Sequence, residues 1–261
     1  RRRAAGCRSQ AWVQPSLTAP YYQPSWGDKA RAEIVASKTL PYGQTVTMGA
    51  EIRNVSYEMK QFNLTDWYDR DSKTNMTQHL KGKTSTAGVY VQDQIEVIDP
   101  LTVYVGGRFD RWSTDDGYDF IIKSGTSKTY TFGDRSENNF SPRLSLVYKI
   151  GESARAKASI GQSFRGPTSS ELYTGWESVS GGALTTSLPN MDLEPEKVLS
   201  SEFGVEKYFA DKVSGKITYF HNDMSDYIYT KTLSETERKA YNLKNFGDEN
   251  HYSNITQKQN I

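Results

Sequence analysis

Apolar and polar residues alternate with a period of two along most of this chain, and this pattern limits its fold more than any other feature. The clearest segments are residues 101–110 and 154–164. Further alternating runs lie at 30–39, 45–57, 89–97, 141–150, 197–209 and 213–229, with a weaker one starting near 239. Successive side chains of an extended strand point to opposite faces, so the pattern predicts an all-β chain without helices.

The joins between these runs alternate strictly between short and long. Short joins lie near 40–44, 98–100, 150–153 and 210–212, and long joins near 58–84, 112–139 and 166–196. An up-and-down barrel of the bacterial outer membrane has short turns at one rim and long loops at the other. Strands of about 11 residues, at about 3.3 Å per residue and a tilt near 45°, also match its apolar band of about 25 Å. The predicted fold is therefore an antiparallel transmembrane β-barrel.

Composition agrees with this fold class. Hydrophobic residues make up 36% of the chain and mean hydropathy is −0.71, yet 12% of residues are aromatic, including 17 Tyr. A barrel strand needs an apolar residue only at every second position, so a polar, Tyr-rich chain is typical of it. No stretch approaches 18 consecutive apolar residues, which excludes membrane-spanning helices. The net charge of +1 gives no reason to expect a nucleic-acid partner.

The amino-terminal segment differs from the rest. Residues 1–28 are predicted to be a poorly structured or foreign tail, and residues 29–261 to be the barrel portion. The single Cys7 excludes an internal disulfide framework and a paired-cysteine metal site. The three histidines, His79, His221 and His251, are too scattered for metal-ligand spacing. No catalytic motif is evident, so an enzyme is not expected, and no cofactor is predicted.

Three stretches, in order, resemble the barrel of TonB-dependent outer-membrane receptors. The first is YVQDQI at 90–95 followed by GRFD at 107–110, with Phe109 where the family commonly has Tyr. The second is FSPRL at 140–144, then SFRGP at 163–167 and ELY at 171–173, with Gly166 in place of Ala. The third is PNMDLEPEK at 189–197 and FGVE at 203–206, followed by YFHND at 219–223 and NFG at 245–247. Together the stretches cover roughly residues 86–247.

The resemblance implies a 22-stranded barrel with an internal plug, located in the outer membrane and energised by the TonB complex through the plug region. It implies uptake of a metal chelate, most simply a ferric siderophore, and contact with outer-membrane lipid. We count only eight or nine strands and find no plug, so we expect an incomplete barrel. An open sheet in hydrocarbon would leave unpaired backbone N–H and C=O groups along two edges, and each such group costs several kcal/mol. We therefore do not expect the sheet to span a membrane alone.

Candidate ligand-binding residues are aromatic and basic side chains of the long loops. They are Tyr118, Tyr130, Arg135, Tyr173 and Trp176. Aromatic rings stack on planar groups and guanidinium pairs with negative charge, as a ferric siderophore requires. Haem receptors of the resembling family usually carry a His in the loop at 168–189, where this chain has none.

Two further groups of residues are predicted from their position. Candidate lumen residues are Arg108, Arg155, Lys157, Glu202 and Glu206. Asp115, Asp116 and Asp119 supply enough oxygen ligands in one loop to suggest a Ca²⁺ site, as some cobalamin receptors of the family have. A solvated loop face is the simpler interpretation of these carboxylates.

Other functions fit the same pattern. Within the family, a cobalamin or haem receptor is the alternative to a siderophore receptor. A passive barrel or adhesin closed by its own eight strands would belong to a different class. A soluble all-β binding module would instead pack its apolar faces at 101–109 and 154–164 against a second sheet.

Overall fold

The computed structural model describes residues 12–14, 21–66, 68–123, 126–180, 182–210 and 213–261. Its strands are β1 (Trp12–Gln14), β2 (Tyr21–Gln23), β3 (Ser25–Leu40), β4 (Gln44–Leu64), β5 (Lys73–Ile98), β6 (Leu101–Lys123), β7 (Thr126–Thr131), β8 (Arg135–Ile150), β9 (Ala154–Arg165), β10 (Trp176–Ser180), β11 (Ala183–Leu188), β12 (Glu196–Ala210), β13 (Val213–Ser225), β14 (Ile228–Thr232) and β15 (Asn254–Asn260). Its helices are α1 (Ser169–Tyr173) and α2 (Glu235–Phe246).

Eight long strands form one antiparallel wall in chain order, β3-β4-β5-β6-β8-β9-β12-β13. Tight turns join them at one end, and two of these turns use left-handed residues, with φ of 64° and 69° at Tyr42 and Gly43 and 60° at Gly151. β1, β2 and β7 extend the same sheet beside β4 and β6. The wall curves as part of a barrel and is not closed, which confirms the predicted fold class.

The two faces of the wall differ in chemistry. On the face that we call the apolar face, Val105 lies opposite Leu144, and Leu144 lies opposite Ile160. The exposed apolar side chains of this face include Ile34, Met48, Val89, Val91, Val105, Phe109, Phe140, Leu144, Leu146, Ile160 and Phe203. The alternate residues, such as Tyr104 and Arg108, form the polar face. A strand that exposes apolar residues on one side and polar residues on the other is typical of a membrane barrel.

The exposed side chains of the apolar face form a belt across the wall, which we call the apolar belt. At the end away from the tight turns, β4, β5 and β6 continue well past this belt. β5 has 26 residues, and the join after β4 is only residues 65–72 rather than the predicted 58–84. The predicted long join at 112–139 likewise contains the end of β6, all of β7 and the start of β8. Beyond the belt neither face of a strand needs hydrocarbon-facing residues, so the apolar alternation that marks the strands in the sequence fades there.

The prediction of a strand near residue 239, and of no helices, is wrong. Residues 235–246 form α2, whose start and end follow local sequence signals. The Ser234 side chain caps the helix by accepting a hydrogen bond from the amide of Glu237, and the Glu237 carboxylate accepts one from the amide of Ser234, which is a capping box. Gly247 ends the helix in the left-handed conformation at φ 70°. Within the described ranges no helix is long and apolar enough to cross a membrane.

Two segments beyond the belt fold together into a unit that we call the cap, residues 166–195 and 226–261. Its four-stranded sheet has the order β10-β11-β15-β14, and β11 pairs with β15 in parallel, which joins the two segments. The buried apolar core of the protein lies where the cap meets β4, β5 and β6. Its members are Met59, Leu80, Trp112, Leu172, Tyr173, Leu193 and Ile228.

The tail predicted at residues 1–28 overlaps ordered strands. β2 and the first residues of β3 lie within residues 21–28, and β2 pairs with β4 through Tyr21–Asn63 and Tyr22–Phe62. Residues 1–11 and 15–20 lie outside the described residues, so the proposed foreign origin of the start of the chain stays a prediction.

Candidate binding face of the wall

Tyr173, a predicted ligand contact, is instead the centre of the core. Its side chain has no exposed surface, its ring stacks on Phe132 at 4.9 Å between centroids, and its hydroxyl lies 2.5 Å from Thr114 Oγ1. Burial raises the pKa of the phenol, so it stays protonated. The backbones of Gly82 and Gly117 contact opposite edges of the ring so closely that a Cβ at either position would overlap it. Tyr173 therefore fastens the cap to β5 and β6.

Arg135 is also occupied by structural contacts. Its Nη1 donates to the carbonyls of Met191 at 2.9 Å and Leu193 at 2.6 Å, and its Nη2 lies 3.1 Å from Glu137. A guanidinium held by two carbonyls and a carboxylate has few donors left for a ligand. Arg135 thus ties the segment before β12 to the start of β8.

The remaining three predicted ligand residues are not brought together. Tyr118 lies on the same side of the wall as the apolar face, with Lys81 Nζ 5.5 Å from its ring centroid. Tyr130 lies on the opposite side and stacks on Phe132 at 6.3 Å. Trp176 begins β10 and is 41% exposed. A ligand role for these residues stays a prediction.

The three aspartates predicted to bind Ca²⁺ do not converge. Asp115 lies 3.5 Å from Lys83 Nζ, whereas the buried Asp119 accepts a hydrogen bond of 3.0 Å from Gln78 Nε2. Asp116 occupies a left-handed position at φ 56° between them. The described part of the chain holds no group of three or more acidic, His or Cys side chains that could hold a metal ion. The structure thus gives this calcium site no support.

The five predicted lumen residues all lie on the polar face. Arg108 lies 2.7 Å from the buried Asp110 and 3.1 Å from Glu51, which also pairs with Arg31 at 2.7 Å. Nearer the tight turns, Glu206 pairs with Arg155 at 3.1 Å and Lys157 at 3.7 Å. Glu202 lines a cavity of about 400 Å³ together with Lys157, Tyr104 and Arg143. Ion pairs within and between strands thus offset the charge of Arg108, Arg155 and Glu206 on this face.

A larger cavity of about 550 Å³, which we call the upper cavity, lies between α1 and the polar face. Three aromatic rings (Tyr57, Trp112 and Phe164) and two arginines (Arg53 and Arg165) line it, and hydroxyls of Thr84, Thr86, Thr168 and Ser170 complete it. A smaller cavity of about 350 Å³ shares Arg53, Thr86 and Phe164 and reaches Arg108 and Asp110. The upper cavity therefore opens onto the polar face of the wall.

The two arginines of the upper cavity differ in their partners. Arg165 Nε lies 2.5 Å from Glu196, and its Nη1 lies 2.8 Å from Glu171. Glu196 in turn accepts a hydrogen bond of 2.8 Å from the amide of Ile228, so Arg165 anchors the cap to β9 and β12. By contrast, among the residues that the structure describes, no carboxylate lies within ion-pair distance of Arg53.

Sequence reasoning missed the upper cavity because its residues come from five separate strands and α1. Arg53 and Tyr57 are polar-face positions, whereas Phe164, at the end of β9, alternates in register with the apolar-face residue Ile160 and still lines the cavity. One sequence pattern could have indicated part of it: Arg53 and Tyr57 are at i and i+4 of one strand, and such residues lie on the same face.

The pH response of α2 provides a first test of the cap. Lys231 and the amide and hydroxyl of Ser234 hold the pKa of Glu237 at about 2, below its ordinary value of 4.5. This contribution to stability is complete above pH 4.5 and is lost as the pH falls towards 2. We expect amide exchange at residues 234–238 to accelerate over that range, measured by hydrogen–deuterium exchange and corrected for intrinsic rates. Glu237→Ala, which removes the acceptor, should already exchange fast at neutral pH, and an unchanged profile would contradict the capping geometry.

Comparison with known proteins agrees with this architecture. Residues 8–261 match the model of the family described as TonB dependent receptor-like, beta-barrel. The chain is 26% identical over 160 residues to a probable TonB-dependent siderophore receptor, PirA, of Acinetobacter baumannii, covering 58% of this chain and 18% of that protein. It is 25% identical over 179 residues to heme/hemopexin utilization protein C of Haemophilus influenzae, covering 64% of this chain and 23% of that protein. The chain spans about a fifth of the length of these curated relatives.

A solved structure shows the same fold. The copper transporter OprC superimposes with a TM-score of 0.66 at 13% identity, covering 94% of this chain and 35% of that one. The chain belongs to the TonB-dependent receptor family, as part of its β-barrel. Members of this family are outer-membrane receptors and transporters for siderophores, haem and metals, and not enzymes. In an outer-membrane barrel the apolar side of each strand faces lipid, which we call the lipid side, and the polar side faces the lumen; the two faces of this wall fit that arrangement.

Proposed function

We propose that this protein imports a ferric siderophore across the outer membrane. The observation that carries the proposal is the upper cavity, which three aromatic rings line together with Arg53, an arginine without a carboxylate partner among the described residues. Rings that stack on planar groups, beside a guanidinium without a carboxylate partner, suit an anionic chelate with aromatic arms. The proposal also includes energy from the TonB complex, a plug inside the barrel, and outer-membrane lipid against the apolar face.

Haem is the alternative cargo, because a haem/hemopexin utilization protein is among the relatives. The positions of the histidines do not favour it. His79 lies on the lipid side of β5, His221 is opposite Ser201 on the same side of the wall, and His251 stacks on Phe246 inside the cap at 3.8 Å. None of the three lines the upper cavity. An axial histidine for haem iron is therefore not available there.

Deletion of the native gene tests the proposal. Cells grown under iron limitation would be given radiolabelled iron as ferric siderophores, and separately haem and cobalamin, and initial uptake rates compared with the parent strain. We expect loss of uptake for at least one ferric siderophore and unchanged use of haem and cobalamin. Loss of haem use alone would instead support the haem alternative. Unchanged uptake of every chelate would exclude a transport function.

A further inference from the structure

Arg53 carries a charge that the fold does not need. Its strand position is directly opposite Arg31 on β3, and like charges at directly opposed positions of antiparallel strands are destabilising. Glu33 and Glu51 neutralise Arg31, at 3.1 Å and 2.7 Å. Among the described residues no such carboxylate serves Arg53, so its guanidinium is free to pair with an anion from outside the chain.

The walls around Arg53 select for flat groups. Phe164 and Tyr57 are half-buried against the core, and Trp112 is held in place by Gly166, which lies so close to the indole that a Cβ there would overlap it. Rings fixed by packing present rigid apolar surfaces, and aromatic groups bind them by offset or edge-to-face contacts. A cavity of about 550 Å³ is within the range of small-molecule sites.

We infer that the upper cavity is a subsite for a planar, anionic arm of the chelate, a catecholate, and that Arg53 distinguishes it from a hydroxamate. This inference rests on the proposed function and names the substrate class. A ferric tris-catecholate carries a net negative charge spread over aromatic rings, whereas a ferric tris-hydroxamate is electrically neutral and its arms are not aromatic. Arg165 does not make the distinction, because Glu171 and Glu196 already neutralise it.

Equilibrium binding to the receptor made from its native gene and purified in detergent tests the inference. The probes are ferric complexes of two tripodal ligands with the same scaffold, one bearing 2,3-dihydroxybenzamide arms and one bearing hydroxamate arms. Binding is followed by quenching of tryptophan fluorescence. The test variant is Arg53→Gln and the matched control is Arg111→Gln. Arg111 is exposed on the lipid side, and among the described residues its side chain bonds only to Ser136 Oγ, at 2.9 Å.

We expect the native receptor to bind the catecholate complex at least about tenfold more tightly than the hydroxamate complex, and Arg53→Gln to remove that preference, because a charge-assisted contact is worth about a factor of ten or more. Arg111→Gln should change neither affinity more than about twofold. Equal affinities in the native receptor, or an equal loss of both in Arg53→Gln, would overturn the inference. If neither complex binds while gene deletion still abolishes siderophore uptake, this subsite assignment fails and the proposed function stands.

Discussion

Tyr173→Ala is expected to lower the free energy of unfolding of the cap by about 3–5 kcal/mol, the cost of truncating a fully buried aromatic residue. The substitution removes the ring that fills the space between Gly82 and Gly117 and ends the stacking on Phe132. It also leaves Thr114 Oγ1 without its hydroxyl partner. The cap should then lose its main attachment to β5 and β6. Urea unfolding of the purified receptor, followed by tryptophan fluorescence, measures the effect.

A matched control lies in the neighbouring loop. Tyr130 belongs to the same aromatic row as Phe132 and Tyr173 but is 37% exposed. Tyr130→Ala should cost no more than about 1 kcal/mol, because more than a third of its surface is exposed to solvent and the substitution leaves no closed cavity. Equal effects of the two substitutions would show that Tyr173 is not the residue on which the cap depends.

Leu144→Lys is expected to destabilise the wall by about 2–4 kcal/mol, the range for a lysine on the lipid face at the middle of the membrane. Leu144 is 41% exposed in the middle of the apolar belt, between Val105 and Ile160. We expect this exposed surface to contact hydrocarbon in the membrane. Unfolding of the receptor in phospholipid vesicles by urea, monitored by tryptophan fluorescence, gives the free-energy difference.

Tyr104→Lys, on the neighbouring strand β6, serves as the control. Tyr104 lies on the polar face and lines the cavity that contains Arg143, Lys157 and Glu202. A new cation there stays in water, and Glu202 partly offsets the two existing cations, so the expected change is no more than about 1 kcal/mol. A larger loss for Tyr104→Lys than for Leu144→Lys would mean that the two faces have been assigned the wrong way round.

The membrane part of the fold could be predicted from the sequence because its physics is repetitive. Residues 101–109 must present every second side chain to lipid, and the same requirement holds for each neighbouring strand, so alternation and turn spacing define the wall. The tight turn at Asp99-Pro100 is found where the sequence predicts it, between β5 and β6. Strands and tight turns of this kind can be predicted from residues that are close together in the sequence.

The extracellular part could not be predicted in the same way, because contacts between distant residues determine it. Tyr173 looks like a loop aromatic until the register of β5 and β6 brings Gly82 and Gly117 against its ring. The parallel pairing of Thr185 with Asn254 depends on segments about 70 residues apart. α2 is different, since its capping box at Ser234 and Glu237 is local and readable. The helical spacing of apolar residues is weak in α2, so the polar capping residues are the part of the sequence that indicates this helix.

Accessibility of single spin labels along β6 tests the central claim most directly. This chain has one cysteine, Cys7, and replacing it and every other cysteine of the receptor with serine allows labels at 102, 103, 104 and 105 in turn. With the receptor in its lipid bilayer, labels at 103 and 105 should collide mainly with dissolved oxygen, and labels at 102 and 104 mainly with a water-soluble nickel chelate. Alternation with this phase is the result that a wall between lipid and lumen requires. Absence of alternation, or the opposite phase, would contradict it.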